Sequence, residues 1–133
     1  MGGGQVTQVV AAIIIKNDKV LIARRAGHKK MPGKWEFPGG KIEEGEAPER
    51  ALEREIFEEL GVEVETKEFI HSNHCDYGSF QIDLMAFKTL YVRGEFKLTD
   101  HDRIEWVNPE KLMSYDLTEA DVPIVPLLIK DRI

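Results

Sequence analysis

Gly40-Lys41-Ile42-Glu43-Glu44-Gly45-Glu46, continued through Ala47 to Glu53 and closed by Arg54-Glu55-Ile56-Phe57-Glu58-Glu59-Leu60-Gly61-Val62, is the stretch on which the reading of this chain turns. A Gly-rich turn enters it, and the residues from Ala47 to Leu60 have the marks of a helix. Pro48 stands in the first turn, Leu52, Ile56 and Leu60 form an apolar stripe, and Gly61 follows the last periodic residue. Positions three and four apart share a helix face, so Glu55, Glu58 and Glu59 project together beside that stripe. Three carboxylates so placed repel one another, and a bound cation reverses that cost. Oxygen ligands without a His or Cys set suit a hard ion, Mg²⁺ or Mn²⁺, better than zinc. The structural alternative is a solvated Glu-rich helix.

The surrounding chain is consistent with a metal-assisted chemistry on a small soluble molecule. Its 133 residues suffice for one core and one domain, residues 1–133, with residues 1–4 expected to be flexible. Net charge is −6, unevenly spread: residues 36–68 carry 12 of the 24 acidic side chains against four basic ones. Such a cluster attracts divalent cations and repels polyanions, which argues against a nucleic-acid polymer as partner and leaves a metal-complexed phosphate as one. No apolar run is long enough for a bilayer, so no membrane partner is expected. The single Cys75 and the lack of a secretory pattern at the start favour a cytoplasmic location.

Outside the quoted stretch the pattern is mostly β. Val6 to Ile15 is a β-branched run, Asn17-Asp18-Lys19 supplies a turn, and Val20 to Ala23 resumes the run. Arg24 to Lys34 reads as an exposed loop, Trp35-Glu36-Phe37 as a short strand, and Pro38-Gly39-Gly40 as the break after it. Val62 to Ile70, Gln81 to Val92 and Ile104 to Val107 read as strands, and Pro109 to Leu112 as a helical turn. A second helix is expected from Thr118 to Ile129, with Thr118 as its N-cap and with Pro123 and Pro126 disturbing its ends. The simplest architecture is an α/β/α sandwich, a central mixed sheet covered by helices.

The residues from Gly40 to Val62 resemble the Nudix box: Gly, five residues, Glu, seven residues, Arg-Glu, an aliphatic, any residue, Glu-Glu, any residue, Gly, an aliphatic. Every defined position is matched. A random window of this composition would meet all nine constraints on the order of once in 10⁸ to 10⁹, so coincidence is a poor rival. The similarity to the MutT branch continues through Val9 to Ile15, Arg24-Arg25, Trp35 to Glu43, Glu105-Trp106 and Ala120 to Pro123, and so spans most of the chain. It implies the Nudix fold. It also implies that Glu55, Glu58 and Glu59 bind magnesium with the carbonyl of Gly39, and that Arg54 orients a glutamate. Asp100 occupies the place of a further acidic residue, often Glu in the family, with Asp102 and His101 as alternatives on the same loop. A triphosphate would be attacked at the β-phosphorus to give NMP and pyrophosphate, with Glu55 or Asp100 helping to deprotonate the water.

For the nucleotide itself, the resemblance places Phe37 beside the base and Arg25, with its neighbour Arg24, on the nucleotide, and Lys41 counts among the substrate-binding residues. An aromatic face stacks on any base, and Arg pairs with phosphate or a base carbonyl. Asp121 stands where MutT uses Asn, and an ionised Asp only accepts hydrogen bonds, so it favours an edge bearing amino or ring N–H groups. The Ala-Asp-Val-Pro context resembles the branch acting on CTP and some oxidised dNTPs. His71 and His74 would point to opposite faces of a strand, which speaks against a transition-metal site with Cys75 and Asp76. Tyr77 is read as packing, and His28-Lys29-Lys30 as a loop able to touch phosphate. The expected protein is thus a monomeric or homodimeric Mg²⁺-dependent (deoxy)nucleoside triphosphate pyrophosphohydrolase. A Nudix enzyme for a nucleoside diphosphate sugar or a dinucleoside polyphosphate is the alternative within catalysis, and a non-catalytic nucleotide-binding domain the alternative outside it.

Overall fold

The computed structural model describes residues 5–131; the expected flexibility of residues 1–4 lies outside them. Strands β1 (Val6–Lys16), β2 (Lys19–Arg25), β3 (Trp35–Glu36) and β4 (Gly39–Lys41) precede helix α1 (Pro48–Leu60). Strands β5 (Glu63–Asp76), β6 (Gln81–Arg93) and β7 (His101–Val107), two 3₁₀ turns (Pro109–Ser114 and Val122–Ile124) and helix α2 (Val125–Asp131) follow. The sheet is mixed. β1 lies parallel to β6 and antiparallel to β4, and β6 is antiparallel to β5. β2 carries β3 and β7 on its two sides, both antiparallel, and joins β1 through a hairpin at Ile15↔Val20. Asn17 and Asp18 both take positive φ there, the geometry of a tight two-residue hairpin turn.

The unbroken apolar run in β1 is explained by burial on both faces. Val10, Ala12 and Ile14 face Leu52, Ile56 and Leu60 of α1, while Ala11 and Ile13 face the opposite layer with Ile22, Leu84, Leu112, Ile124 and Leu128. The expected arrangement of a central mixed sheet flanked by helices is what the chain adopts. Helix α1 begins at Pro48 with Ala47 as its cap residue, and ends where the Gly61 N–H reaches the Phe57 carbonyl at 2.9 Å.

Four local expectations are corrected. Arg24 and Arg25 belong to β2, not to a loop, and β5 runs on past Ile70 to Asp76. Gly39 and Gly40, read as a turn, pair with Ala11 and Val10 in β4. A Cβ on Gly39 would lie 1.9 Å from the Val10 carbonyl oxygen, so the two backbones approach as only a residue without a side chain allows. The helix expected from Thr118 starts only at Val125. Leu117 forms a parallel bridge to Trp35, the Thr118 N–H bonds to the Trp35 carbonyl, and the Thr118 hydroxyl donates to Asp121 instead of capping a helix. The two prolines, which lack an N–H, then sit at the starts of the 3₁₀ turn and of α2, where no donor is needed.

Candidate active site

One cavity of about 490 Å³ gathers most of the residues singled out in the sequence. Gly39, Lys41, Glu55, Glu59, Asp100, Arg25, Phe37 and Asp121 all line it. α1 supplies its acidic side through Glu55 and Glu59, next to β4, and the segment from Thr118 to Asp121 contributes at Phe37. Arg24, Arg54 and Glu58 are not among the lining residues. Arg24 pairs with Asp102 at 2.7 Å and lies over the Trp35 ring.

Helical geometry spreads the three helix glutamates, and the packing of α1 on β1 and β4 selects which of them face the cavity. At about 100° per residue, Glu58 is displaced roughly 60° to one side of Glu55 and Glu59 roughly 40° to the other. Glu55 and Glu59 therefore enter the cavity, while Glu58 is 58% exposed and bonds to Arg54 at 3.2 Å. Glu59 is half-buried, and its Oε1 is enclosed without a hydrogen-bond partner. Burial, followed by the charges of Glu36, Glu55 and Asp100, pushes its carboxyl up to about 9. Burial also raises Glu55, against the pull of Arg54.

Arg54 organises this region. It donates to both carboxylate oxygens of Glu46, at 2.7 and 3.0 Å, and to Glu55 at 3.3 Å, and it reaches the Lys41 carbonyl at 3.0 Å. The glutamate it holds most closely is Glu46, whose carboxyl these bonds lower to about 2. The signal for Glu46 was in the sequence, eight residues before Arg54 at a defined position of the box. Arg54 thereby ties the loop before α1 to both the helix and β4.

Among the described residues no three His, Cys, Asp or Glu side chains converge on one point as they stand. The donor set nevertheless fits a hard divalent cation. An orphaned buried carboxylate oxygen, two acids raised chiefly by burial, and a backbone brought within a side chain's reach of Glu55 form an acidic cradle. A Cβ on Gly40 would sit 2.3 Å from the Glu55 carboxyl carbon, so the position admits only glycine while that carboxylate keeps its place. Asp100 also lines the cavity, in a 3.7 Å pair with Lys29, which with Lys30 lines it too.

The base-side residues differ from expectation in detail. Phe37 is 3% exposed and packs in the core, so it offers a wall and little stacking face. Tyr77 and Phe80, stacked at 5.0 Å, present aromatic surface to the cavity instead, and the Tyr77 hydroxyl accepts the Ala120 N–H. Asp121 is 4% exposed and accepts from the Phe37 N–H and the Thr118 hydroxyl, each at 3.0 Å. Burial, then the charge of Glu36, raises its carboxyl to about 7. It is therefore not the permanently ionised acceptor that its residue type suggests. Sequence reasoning passed over Glu36 and named His101 only as a substitute for Asp100; the two join Arg25 in a part-buried network, and only proximity in the fold links them.

Comparison with known proteins agrees with this geometry. The NUDIX domain family pattern matches residues 6–128. A CTP pyrophosphohydrolase of Escherichia coli is 36% identical over 118 residues, covering 89% of this chain and 87% of its own length. An 8-oxo-dGTP diphosphatase of the same organism is 32% identical over 122 residues, covering 91% and 95%. The solution structure of the E. coli ORF135 protein superposes with a TM-score of 0.84 at 34% identity, over 97% of this chain and 92% of that one. A MutT protein from methicillin-resistant Staphylococcus aureus gives 0.78 at 32%, over 97% and 99%. With its box intact, its acidic helix beside a nucleotide-sized cavity and relatives matched along nearly their whole length, the chain belongs to the Nudix family and is a MutT-type pyrophosphohydrolase.

Proposed function

We propose that this enzyme hydrolyses a nucleoside or deoxynucleoside triphosphate, oxidised or modified bases included, to the monophosphate and pyrophosphate, with Mg²⁺ or Mn²⁺ as cofactor. The observation that carries this reading is that the acidic cradle of Glu55 and Glu59 and the polar group at Asp121 open into the same cavity. Its volume is ample for a nucleotide. The relatives act, by their names, on CTP and 8-oxo-dGTP, which supports a triphosphate substrate.

Glu55, Glu59, the Gly39 carbonyl and Asp100 would hold the metal, with Glu58 at the rim. The ion supplies a Lewis acid that offsets polyphosphate charge and eases deprotonation of water. Lys41 and Arg25 bring positive charge to the same cavity, where they neutralise and orient phosphate oxygens for in-line attack at the β-phosphorus. Either Glu55 or Asp100 would accept the proton of the attacking water. Asp121, titrating near neutrality, can donate or accept toward a base edge, so it reads more than one base type. The lone Cys75 fits a reducing cytoplasm, and the enzyme would act there as a monomer or homodimer.

Product analysis with Mg²⁺ across a nucleotide panel tests this. Pyrophosphate and NMP from triphosphates support it, whereas activity confined to nucleoside diphosphate sugars, with sugar phosphate as product, refutes it. Glu58→Gln should nearly abolish turnover while leaving the fold intact; an unaffected rate removes Glu58 from the metal site.

A further inference from the structure

Between Arg24 and Arg25 the pairing of β2 with β7 shifts register: Arg24 lies opposite Arg103, but Arg25 lies opposite His101. Bulges of this kind re-aim side chains beside active sites. Here the shift separates neighbours. Asp102 stays outside on Arg24, while the His101 side chain turns inward and is 1% exposed. Its Nε2 lies 2.8 Å from one oxygen of Glu36, and the other oxygen of Glu36 accepts from Arg25 Nη1 at 2.9 Å. Arg25 Nε is held in turn by the Lys30 carbonyl. The His101 Nδ1 is buried without a partner, so the tautomer that fits carries its proton on Nε2, where Glu36 accepts it.

We propose that His101 and Glu36 are positioning residues that set the aim of the Arg25 guanidinium into the cavity, and thereby the affinity for the nucleotide. The inference rests on the reading of Arg25 as a nucleotide-binding side chain. Arg25 and Glu36 are both more than four-fifths buried and all three residues line the cavity, so the network is part of its wall. A guanidinium on a flexible stem gains little from one carboxylate contact if that carboxylate can swing. Saturating both Glu36 oxygens removes the freedom before substrate arrives. Arg25 then meets the nucleotide already oriented, an effect on binding more than on the chemical step.

The test is steady-state kinetics with CTP and with 8-oxo-dGTP in Mg²⁺ for His101→Leu, His101→Gln, Arg25→Ala and the double variant His101→Leu/Arg25→Ala, with thermal melting alongside. Gln places an N–H donor the same number of bonds from Cβ as His Nε2. His101→Leu should raise KM about tenfold with kcat within about threefold, the scale of one hydrogen bond to a charged group. His101→Gln should restore most of that loss, and the double variant should match Arg25→Ala alone, because coupled residues are not additive. If Arg25→Ala leaves KM unchanged, the reading of Arg25 fails and takes the inference with it. If Arg25→Ala raises KM but His101→Leu does not, or the two effects multiply, or Gln is no better than Leu, the positioning role alone is overturned. Should His101→Leu not fold, Glu36→Gln takes its place in the cycle and must show the same non-additivity with Arg25→Ala.

Discussion

Gly40→Ala separates catalytic geometry from fold stability in a way the structure makes quantitative. The added Cβ would lie 2.3 Å from both the carboxyl carbon and Oε1 of Glu55, and 2.7 Å from Oε2. Ordinary contact needs about 3.5 Å, so the carboxylate has to retreat by roughly 1.2 Å, and since all three atoms are struck, rotation about the last bond does not relieve it. A displacement near 1 Å at a reacting group costs about 10²-fold in rate, or roughly 2.7 kcal/mol of transition-state stabilisation. The struck group is the end of a flexible side chain, so the loss of stability should be only about 1 kcal/mol. Gly39→Ala makes the contrast: its Cβ would meet the Val10 backbone at 1.9 Å and force β4 off β1, a loss expected to exceed about 4 kcal/mol. The assay is Mg²⁺-dependent pyrophosphate release together with thermal melting of both variants. Wild-type kcat/KM in Gly40→Ala, or a drop in Tm equal to that of Gly39→Ala, would falsify the assignment of Glu55 to the reaction.

Other perturbations probe the remaining parts of the site. Asp121 should make stability pH-dependent: its folded carboxyl is raised to about 7 from an ordinary value of 3.8, so the folded chain holds the proton more tightly than the unfolded one. That contribution is full below about pH 4, falls as pH rises toward 7 by up to about 1.4 kcal/mol per pH unit, and is lost above it. Asp121→Asn, compared with wild type by denaturant unfolding from pH 4 to 8, should therefore gain relative stability with rising pH; parallel curves would show that Asp121 is ionised throughout. Glu59→Gln should leave the metal-free Tm almost unchanged while removing both turnover and the Tm increase on adding Mg²⁺, and a retained increase would place the metal elsewhere. Arg54→Ala frees Glu46, Glu55 and Glu58 at once and should lower kcat at least about 10²-fold with about 1–3 kcal/mol lost from stability; Arg54→Lys, which lacks the planar fork, should recover little of it.

The helix from Pro48 to Leu60 was legible because everything that makes it is local: a proline at its start, an apolar residue every fourth position and a glycine past its end. Its chemistry was legible for the same reason, since Glu46, Arg54, Glu55, Glu58 and Glu59 lie within one short segment whose spacing fixes their directions. Even there, which two of the three helix glutamates enter the cavity depended on where β1 and β4 pack against α1, and β1 lies some forty residues from that helix. Gly39 and Gly40 looked like turn residues because a strand position that excludes every side chain has the same composition as a turn. Thr118 looked like a helix cap because the strand-like bridge from Leu117 to Trp35 cannot be seen from one end.

The sequence by itself determined the family, the acidic helix and the strand at β1, which follow from one dense motif, a helical period of 3.6 residues and an unbroken β-branched run. Only the tertiary structure decided that Asp121 is buried and titrates near neutrality, that Tyr77 and Phe80 supply the aromatic wall, and that a one-residue shift opposite Arg25 turns His101 toward Glu36. The physical reason is that burial and electrostatic environment are properties of neighbours in space. Arg25, Glu36 and His101 come from three strands, and no local pattern records the register that brings them together.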